Sequence, residues 1–198
     1  MLNIVLVAGS SRANSQSAKV ASHLQQRLIE LGHTAEPICS VLDLGETPLP
    51  LWPSENPGPW PQYSQRLQAC DALVVVAPEW NGMACPAIKN FFIFASKTEL
   101  AHKPGLLVGV SSGIGGAYPI AELRASSYKN CRLCYLPEHL IVRNVEALMN
   151  EGHATSDADE RIRQRADYAL DILCKYAEAL KPVRESISFA NPAFTNGM

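Results

Sequence analysis

The stretch LNIVLVAGSSRANSQSAKVASHLQQRLIEL, residues 2–31, changes character twice. Leu2–Ala8 is an apolar run with little alternation, the pattern of a strand covered on both faces. Gly9–Ser17 then holds four serines, one arginine and one glycine in nine residues. Beyond it, Val20, Leu24 and Leu28 recur at i, i+4 spacing, and Gly32 follows as a helix C-cap. The reading is strand, polar loop, helix.

The alternation repeats along the chain. ALVVVA (72–77), GLLVGV (105–110) and LCYLPEHLIV (133–142) read as further strands, with a weaker one around AEPICSV (35–41). PAIKNFFIFAS (86–96) opens on a proline suited to a first helical turn, and AELRASSYK (121–129) is a shorter helical pattern. A last helix, about 157–180, has Ser156 as N-cap and carries Ile162, Ala166, Leu170, Leu173 and Ala177 on one stripe. This alternation predicts an α/β fold: a flavodoxin-like, doubly wound, five-stranded parallel sheet in the order 2-1-3-4-5, with helices on both faces. PLPLWPSENPGPWP (48–61) contains six prolines and reads as an irregular surface loop long enough to serve as a lid. Residues 1–182 are expected to form one domain, and 183–198, which lack periodicity, a C-terminal tail.

Composition narrows the class. Of 198 residues, 47% are hydrophobic and 18% charged, which suits a globular core. The net charge of −2 provides no basic face for a nucleic acid. The first apolar run lacks a charged n-region and is too short to span a bilayer, so a soluble cytoplasmic protein without a membrane partner is expected. The six cysteines, at 39, 70, 85, 131, 134 and 174, are accordingly read as free thiols.

In such a fold ligands bind beyond the carboxyl ends of the strands. The serine-rich loop lies there, ahead of a helix whose N-terminus offers free N–H groups and the positive end of its dipole. It matches neither the Walker pattern nor G-x-G-x-x-G, and its hydroxyls suit a terminal monophosphate better than a pyrophosphate. The alternative is an ordinary capped turn with serines as turn residues. Two other strand ends favour the ligand. PEWNGMACPAIKN (78–90) sets an aromatic, an amide and a glycine before a helix, and SSGIGGAYP (111–119) has three glycines that allow close backbone approach to a flat molecule.

GSSRANSQS, DLGETPLPL (43–51), PEWNGMACPAIKNF and SSGIGGAYP together resemble the NAD(P)H-dependent FMN reductase family, in the family's order and over about residues 2–150. The resemblance implies FMN as cofactor and NAD(P)H as co-substrate. It puts Ser10, Arg12 and Ser15 at the FMN phosphate, with Ser17 where the family usually has asparagine. Pro78, Glu79, Trp80, Asn81, Gly82 and Met83 then lie beside the isoalloxazine. Trp80 replaces the family's tyrosine and Met83 its serine. Ser112, Gly113, Gly115 and Gly116 lie near the pyrimidine end of the ring. Hydride would pass from NAD(P)H to the flavin and electrons onward to a small-molecule acceptor: free FMN, a quinone, an azo compound or a metal oxyanion. The cofactor carries that chemistry, so no catalytic acid–base pair is expected. The same resemblance implies a homodimer or homotetramer, for which Leu136–Val142 and the proline loop are candidate contact surfaces. Met83, Trp52 and Trp60 are candidates for the open flavin face.

Three short patterns point elsewhere. GVSSG (109–113) matches the G-x-S-x-G nucleophile elbow and would make Ser111 the nucleophile of an esterase, but three glycines crowd a turn that should enter a helix at once. Cys131 and Cys134 form a C-x-x-C without a second pair to complete a zinc site. GIGGAY lacks the last glycine of a dinucleotide fingerprint. An FMN-binding electron carrier or sensor without turnover is a second class, though a carrier should be more acidic than −2. His23, His33 and His102 read as surface residues without chemistry.

Overall fold

The computed structural model describes residues 1–188. Five parallel strands, β1 (Ile4–Ala8), β2 (Ser40–Asp43), β3 (Ala72–Trp80), β5 (Pro104–Val110) and β6 (Cys134–Val142), lie in the order β2-β1-β3-β5-β6. Counted along the chain without the short β4, that is the expected 2-1-3-4-5 order. β4 (Met83–Ala84) adds a sixth strand, antiparallel to the end of β3.

The apolar runs become strands because both faces are covered. In β1 every side chain is buried, and alternate residues enter opposite cores. Ile4, Leu6 and Ala8 pack with α1 (Gln16–Glu30) and α6 (Asp157–Ser186). Val5 and Val7 pack beneath α2 (Trp60–Ala69), α3 (Pro86–Phe94) and α5 (Ala117–Ser126). The helix α4 (Lys97–Leu100) is short and is fixed by a Ser96–Glu99 capping box. Ser15 caps α1 through its hydroxyl, which accepts the Ala18 N–H at 3.1 Å.

Several expectations shift. The weak strand sits at Ser40–Asp43, overlapping only the end of the predicted 35–41 window, because Leu42 is the side chain there that reaches the core. α2 begins inside the proline loop, with Tyr63 and Leu67 buried one turn apart. α5 starts at Ala117, ahead of the expected segment, and α6 continues through Pro182 to Ser186. Of the predicted tail, 189–198 lie outside the described residues. Leu136, Leu140 and Val142 are core side chains, so the apolar face of β6 is not a contact surface. Among the described residues no helix is long and apolar enough to cross a membrane.

One buried carboxylate ties α6 to the segment before it. Asp159 is fully enclosed. Its Oδ1 accepts the Met149 N–H at 2.8 Å and Arg163 Nε at 3.0 Å, and its Oδ2 accepts the Thr155 N–H at 3.2 Å. Burial alone would raise its pKa, but the hydrogen bonds from Arg163, Met149 and Thr155 outweigh it and hold the carboxyl below its ordinary 3.8. Asp159→Ala is expected to cost about 3 kcal/mol at pH 7, because it strands Arg163 and two backbone donors. The folded-state pKa is depressed, so the stabilisation is complete above the unfolded value and lost as pH falls through the folded one. Urea unfolding of both proteins checks this: the gap should hold from pH 7 to about 4 and narrow below. A gap that does not change on acidification would exclude the ionised carboxylate as its source.

Candidate functional site

A crevice of about 500 Å³ opens at the carboxyl edge of the sheet, within the usual size range of small-molecule sites. The loops after β1, β3 and β5 line it, together with the turn after β6. Of the residues predicted from sequence, Ser10, Arg12, Ser15, Ser17, Pro78, Glu79, Trp80, Asn81 and Ser112 line it. Gly82, Met83, Gly113, Gly115 and Gly116 are not among its wall residues. Asn14, Gln16, Ser111, Val145 and Glu146 are too; of these the sequence singles out only Ser111, and that for the esterase reading.

The first loop carries the donors. Gln16 and Ser17 stand in the first turn of α1, where N–H groups have no intrahelical acceptor. Ser10 Oγ accepts the Arg12 N–H at 3.1 Å and fixes the start of the loop. The most telling atom is Ser17 Oγ. The residue is 1% exposed, and its hydroxyl has no hydrogen-bond partner; Gln16 Oε1 is likewise buried and unpartnered. A buried polar group left unsatisfied costs about 1–3 kcal/mol. A merely structural turn has no reason to carry that cost, whereas a phosphoryl oxygen is an acceptor that would complete the Ser17 hydroxyl. The residues present therefore fit a phosphate at this loop.

Neighbouring segments brace the loop. Asp43 Oδ1 accepts the Gly45 N–H at 2.8 Å, and Glu46 Oε1 accepts the Asn14 N–H at 3.1 Å. A Cβ at Gly45 would stand 2.2 Å from the Arg12 carbonyl oxygen, so only glycine allows the loop after β2 to lie this close. Lys19 Nζ donates to the carbonyls of Val145 and Leu148 and to Asn150 Oδ1, at 2.6, 2.9 and 2.8 Å, which anchors the opposite wall to α1. The Arg12 guanidinium lies 4.8 Å from the centroid of the Trp80 ring, a cation–π contact linking the first loop to the second.

The glycine loop is held from two sides. Glu79 Oε2 accepts the N–H groups of Gly116 at 2.6 Å and Tyr118 at 3.3 Å, at the N-terminus of α5 where negative charge is favoured. Arg143 Nε donates to the carbonyls of Ile114 at 2.7 Å and Gly115 at 3.1 Å. A Cβ at Gly109 would stand 2.1 Å from the Gly116 carbonyl oxygen, so β5 and the loop touch backbone to backbone.

The rival readings do not survive this geometry. Ser111 Oγ accepts the Gly113 N–H at 3.2 Å, and α5 begins only at Ala117, so the strand does not turn directly into a helix as an elbow requires. Cys131 is buried against the Ser127 carbonyl, and burial pushes its pKa up to about 11. All six cysteines are free thiols, and among the described residues no group of histidine, cysteine and carboxylate side chains could hold a metal. Trp60 packs on Phe91 and Phe94, and Trp52 on Phe94; neither lines the crevice.

The sequence profile of the family described as NADPH-dependent FMN reductase matches residues 2–147. The chain belongs to that family, and it is a flavin-dependent NAD(P)H oxidoreductase that uses FMN, with NAD(P)H as co-substrate. It is 27% identical over 173 residues to a 2-hydroxy-1,4-benzoquinone reductase of Burkholderia sp, covering 82% of this chain and 91% of that one. It is 30% identical over 116 residues to the NADH-dependent FMN reductase SfnE of Pseudomonas putida, covering 54% and 58% respectively. Its fold superposes on the flavoenzyme NAD(P)H:acceptor oxidoreductase FerB of Paracoccus denitrificans with a TM-score of 0.71 at 21% identity, covering 91% of this chain and 99% of that one.

The Glu79 brace yields a direct test. In Glu79→Ala the Gly116 and Tyr118 amides should exchange with solvent deuterium at least about tenfold faster, while the strand amides of Val74–Val76 keep their protection. Equal rates at Gly116 and Tyr118 in the two proteins would show that the carboxylate does not order the loop.

Proposed function

We propose that this crevice is the FMN site. Ser10, Arg12, Ser15 and Ser17 hold the phosphate. Pro78, Glu79, Trp80, Asn81 and Ser112 lie along the ring. Gly82 and Met83, where the chain turns back into β4, and Gly113, Gly115 and Gly116 shape the two loops that flank it. The observation that carries the reading is the enclosed, unpartnered Ser17 hydroxyl at a helix N-terminus. FMN, once bound, supplies the two-electron chemistry between nicotinamide and acceptor. The protein's residues bind and orient it: hydroxyls and helix N–H groups at the phosphate, the Trp80 indole beside the ring, and the glycine loop fixed by Glu79 and Arg143.

The acceptor we propose is a small quinone. The Burkholderia relative, matched over 91% of its length, is named for such a substrate. Met83, 55% exposed at the end of the second loop, leaves that side apolar and open to a flat molecule. We propose further that the protein works in the cytoplasm, where its six thiols stay reduced, as a homodimer or homotetramer. Leu51, Trp52 and Ile93 are exposed large apolar side chains suited to an interface. As predicted from sequence, we assign it neither a nucleic-acid nor a membrane partner.

Ser17→Ala separates a ligand site from a structural turn, because the two effects have opposite signs. Without flavin the variant should be as stable as the parent or more so, by about 1 kcal/mol, since it removes an unsatisfied hydroxyl. Its FMN affinity, read by quenching of flavin fluorescence, should fall about tenfold. Ser15→Ala and Arg12→Ala should also weaken FMN, and NAD(P)H oxidation should require FMN and rise with an added quinone. Unchanged FMN affinity in all three variants would remove the assignment.

A further inference from the structure

The first loop leaves β1 over a buried thiol. Cys85, the N-cap residue of α3, is fully enclosed. Its Sγ donates to the Gly9 carbonyl at 2.7 Å, an acceptor 76 positions away in sequence. The N–H groups of Ile88, Ala87 and Ser11 also face the sulfur. Burial outweighs them and raises the thiol's pKa above its ordinary 9.0, so at pH 7 the proton needed for the donation is in place. One side chain thus touches the backbone on both sides of Ser10, and neither Cys85 nor Gly9 is a wall residue of the crevice. We propose that Cys85 is a positioning residue for the FMN phosphate: by gripping the Gly9 carbonyl it turns the Gly9–Ser10 peptide so that the Ser10 N–H faces the phosphate. This rests on the crevice being the FMN site.

The Gly9–Ser10 peptide bond is trans, so its C=O and N–H point in opposite directions. The carbonyl points into the thiol, and the N–H therefore points away from it, on the side where Ser10 lines the crevice. Ser10 is buried and its Oγ already accepts the Arg12 N–H, so its hydroxyl proton and its N–H are what it can offer an anion. Gly9 has no room to move aside. Its N–H donates to the Val76 carbonyl at 2.8 Å, and a Cβ on it would stand 2.9 Å from that oxygen and 3.0 Å from Ile88 Cβ. Cys85 is fixed as firmly. Pro86 opens α3 behind it, while Ala84 ahead of it pairs with Glu79 across β3 and β4 and donates its N–H to Glu122 Oε2 at 2.8 Å. Donor and acceptor both sit on rigid elements, so their hydrogen bond sets the peptide between them. Cys131, by contrast, donates to the Ser127 carbonyl only 4 positions earlier and joins no two segments.

Flavin-free protein titrated with FMN, followed by quenching of flavin fluorescence and by the phosphorus NMR resonance of the bound phosphate, tests this. Cys85→Ala removes the donor, and Cys85→Ser restores one. The alanine variant should bind FMN about tenfold more weakly, with a shifted resonance because the donors around the phosphate have changed. The serine variant should bind within about threefold of the parent and keep the parent's resonance. Circular dichroism checks the fold, and Cys85→Val, which fills the space without a donor, replaces the alanine variant if that one does not fold. A merely structural thiol would lower the melting temperature on substitution and leave FMN affinity and resonance as in the parent. That result, or a serine variant as weak as the alanine one, would overturn the proposal while leaving the crevice as the FMN site. Failure of FMN to bind the parent protein would remove both.

Discussion

A sheet packed by helices on both faces has one place left for polar chemistry, its carboxyl edge. Every side chain of β1 and β5 is buried, as are all but the last two of β3, so serines and free backbone donors cannot sit along these strands. They collect where the strands end. The parallel arrangement brings those ends to one side, and the order β2-β1-β3-β5-β6 sets the loops after β1, β3 and β5 next to one another. The crevice follows from that burial constraint. Its donors reach their positions because each loop rests on another: Gly45 on Arg12, Arg12 on Trp80, Glu79 on Gly116, and Arg143 on Gly115.

The parts of the fold that could be read from the chain are those where burial is complete. The runs at Ile4–Ala8, Ala72–Ala77 and Gly105–Val110 are unbroken because both faces are dry. β2 was displaced because it is an edge strand, with one buried side chain and no pattern to fix its limits. α2 was missed because six prolines dominate the window in which it starts, although Tyr63 and Leu67 gave the i, i+4 signal. The site shows the same division. Loop residues with distinctive chemistry, such as Ser17 and Trp80, stand out in the sequence and line the crevice. Val145 and Glu146 do not stand out, because they arrive from a distant turn through the Lys19 tether, and no spacing in the sequence reports a tether across more than 120 residues.

His23 shows a different limit. On a helical wheel it lies beside polar residues and reads as solvated. Its environment is set by α6, whose Arg163 and Asp167 close over α1. The glycines of the third loop were read as room for a ligand. Gly116 instead uses its missing side chain to clear Ile141 at a φ of +100°, and Gly115 to admit the Glu79 carboxylate.

That double hold on the glycine loop affects how a flat ring is received. Glu79 grips the loop by its amides and Arg143 by its carbonyls, so most of the conformational freedom of Ile114–Gly116 is lost during folding rather than at the moment of association. In the FMN site proposed above, an incoming ring would meet a loop that is already fixed. Its affinity would not be reduced by having to freeze that loop, and its arrival rate would be set by diffusion and orientation rather than by waiting for a rare open form.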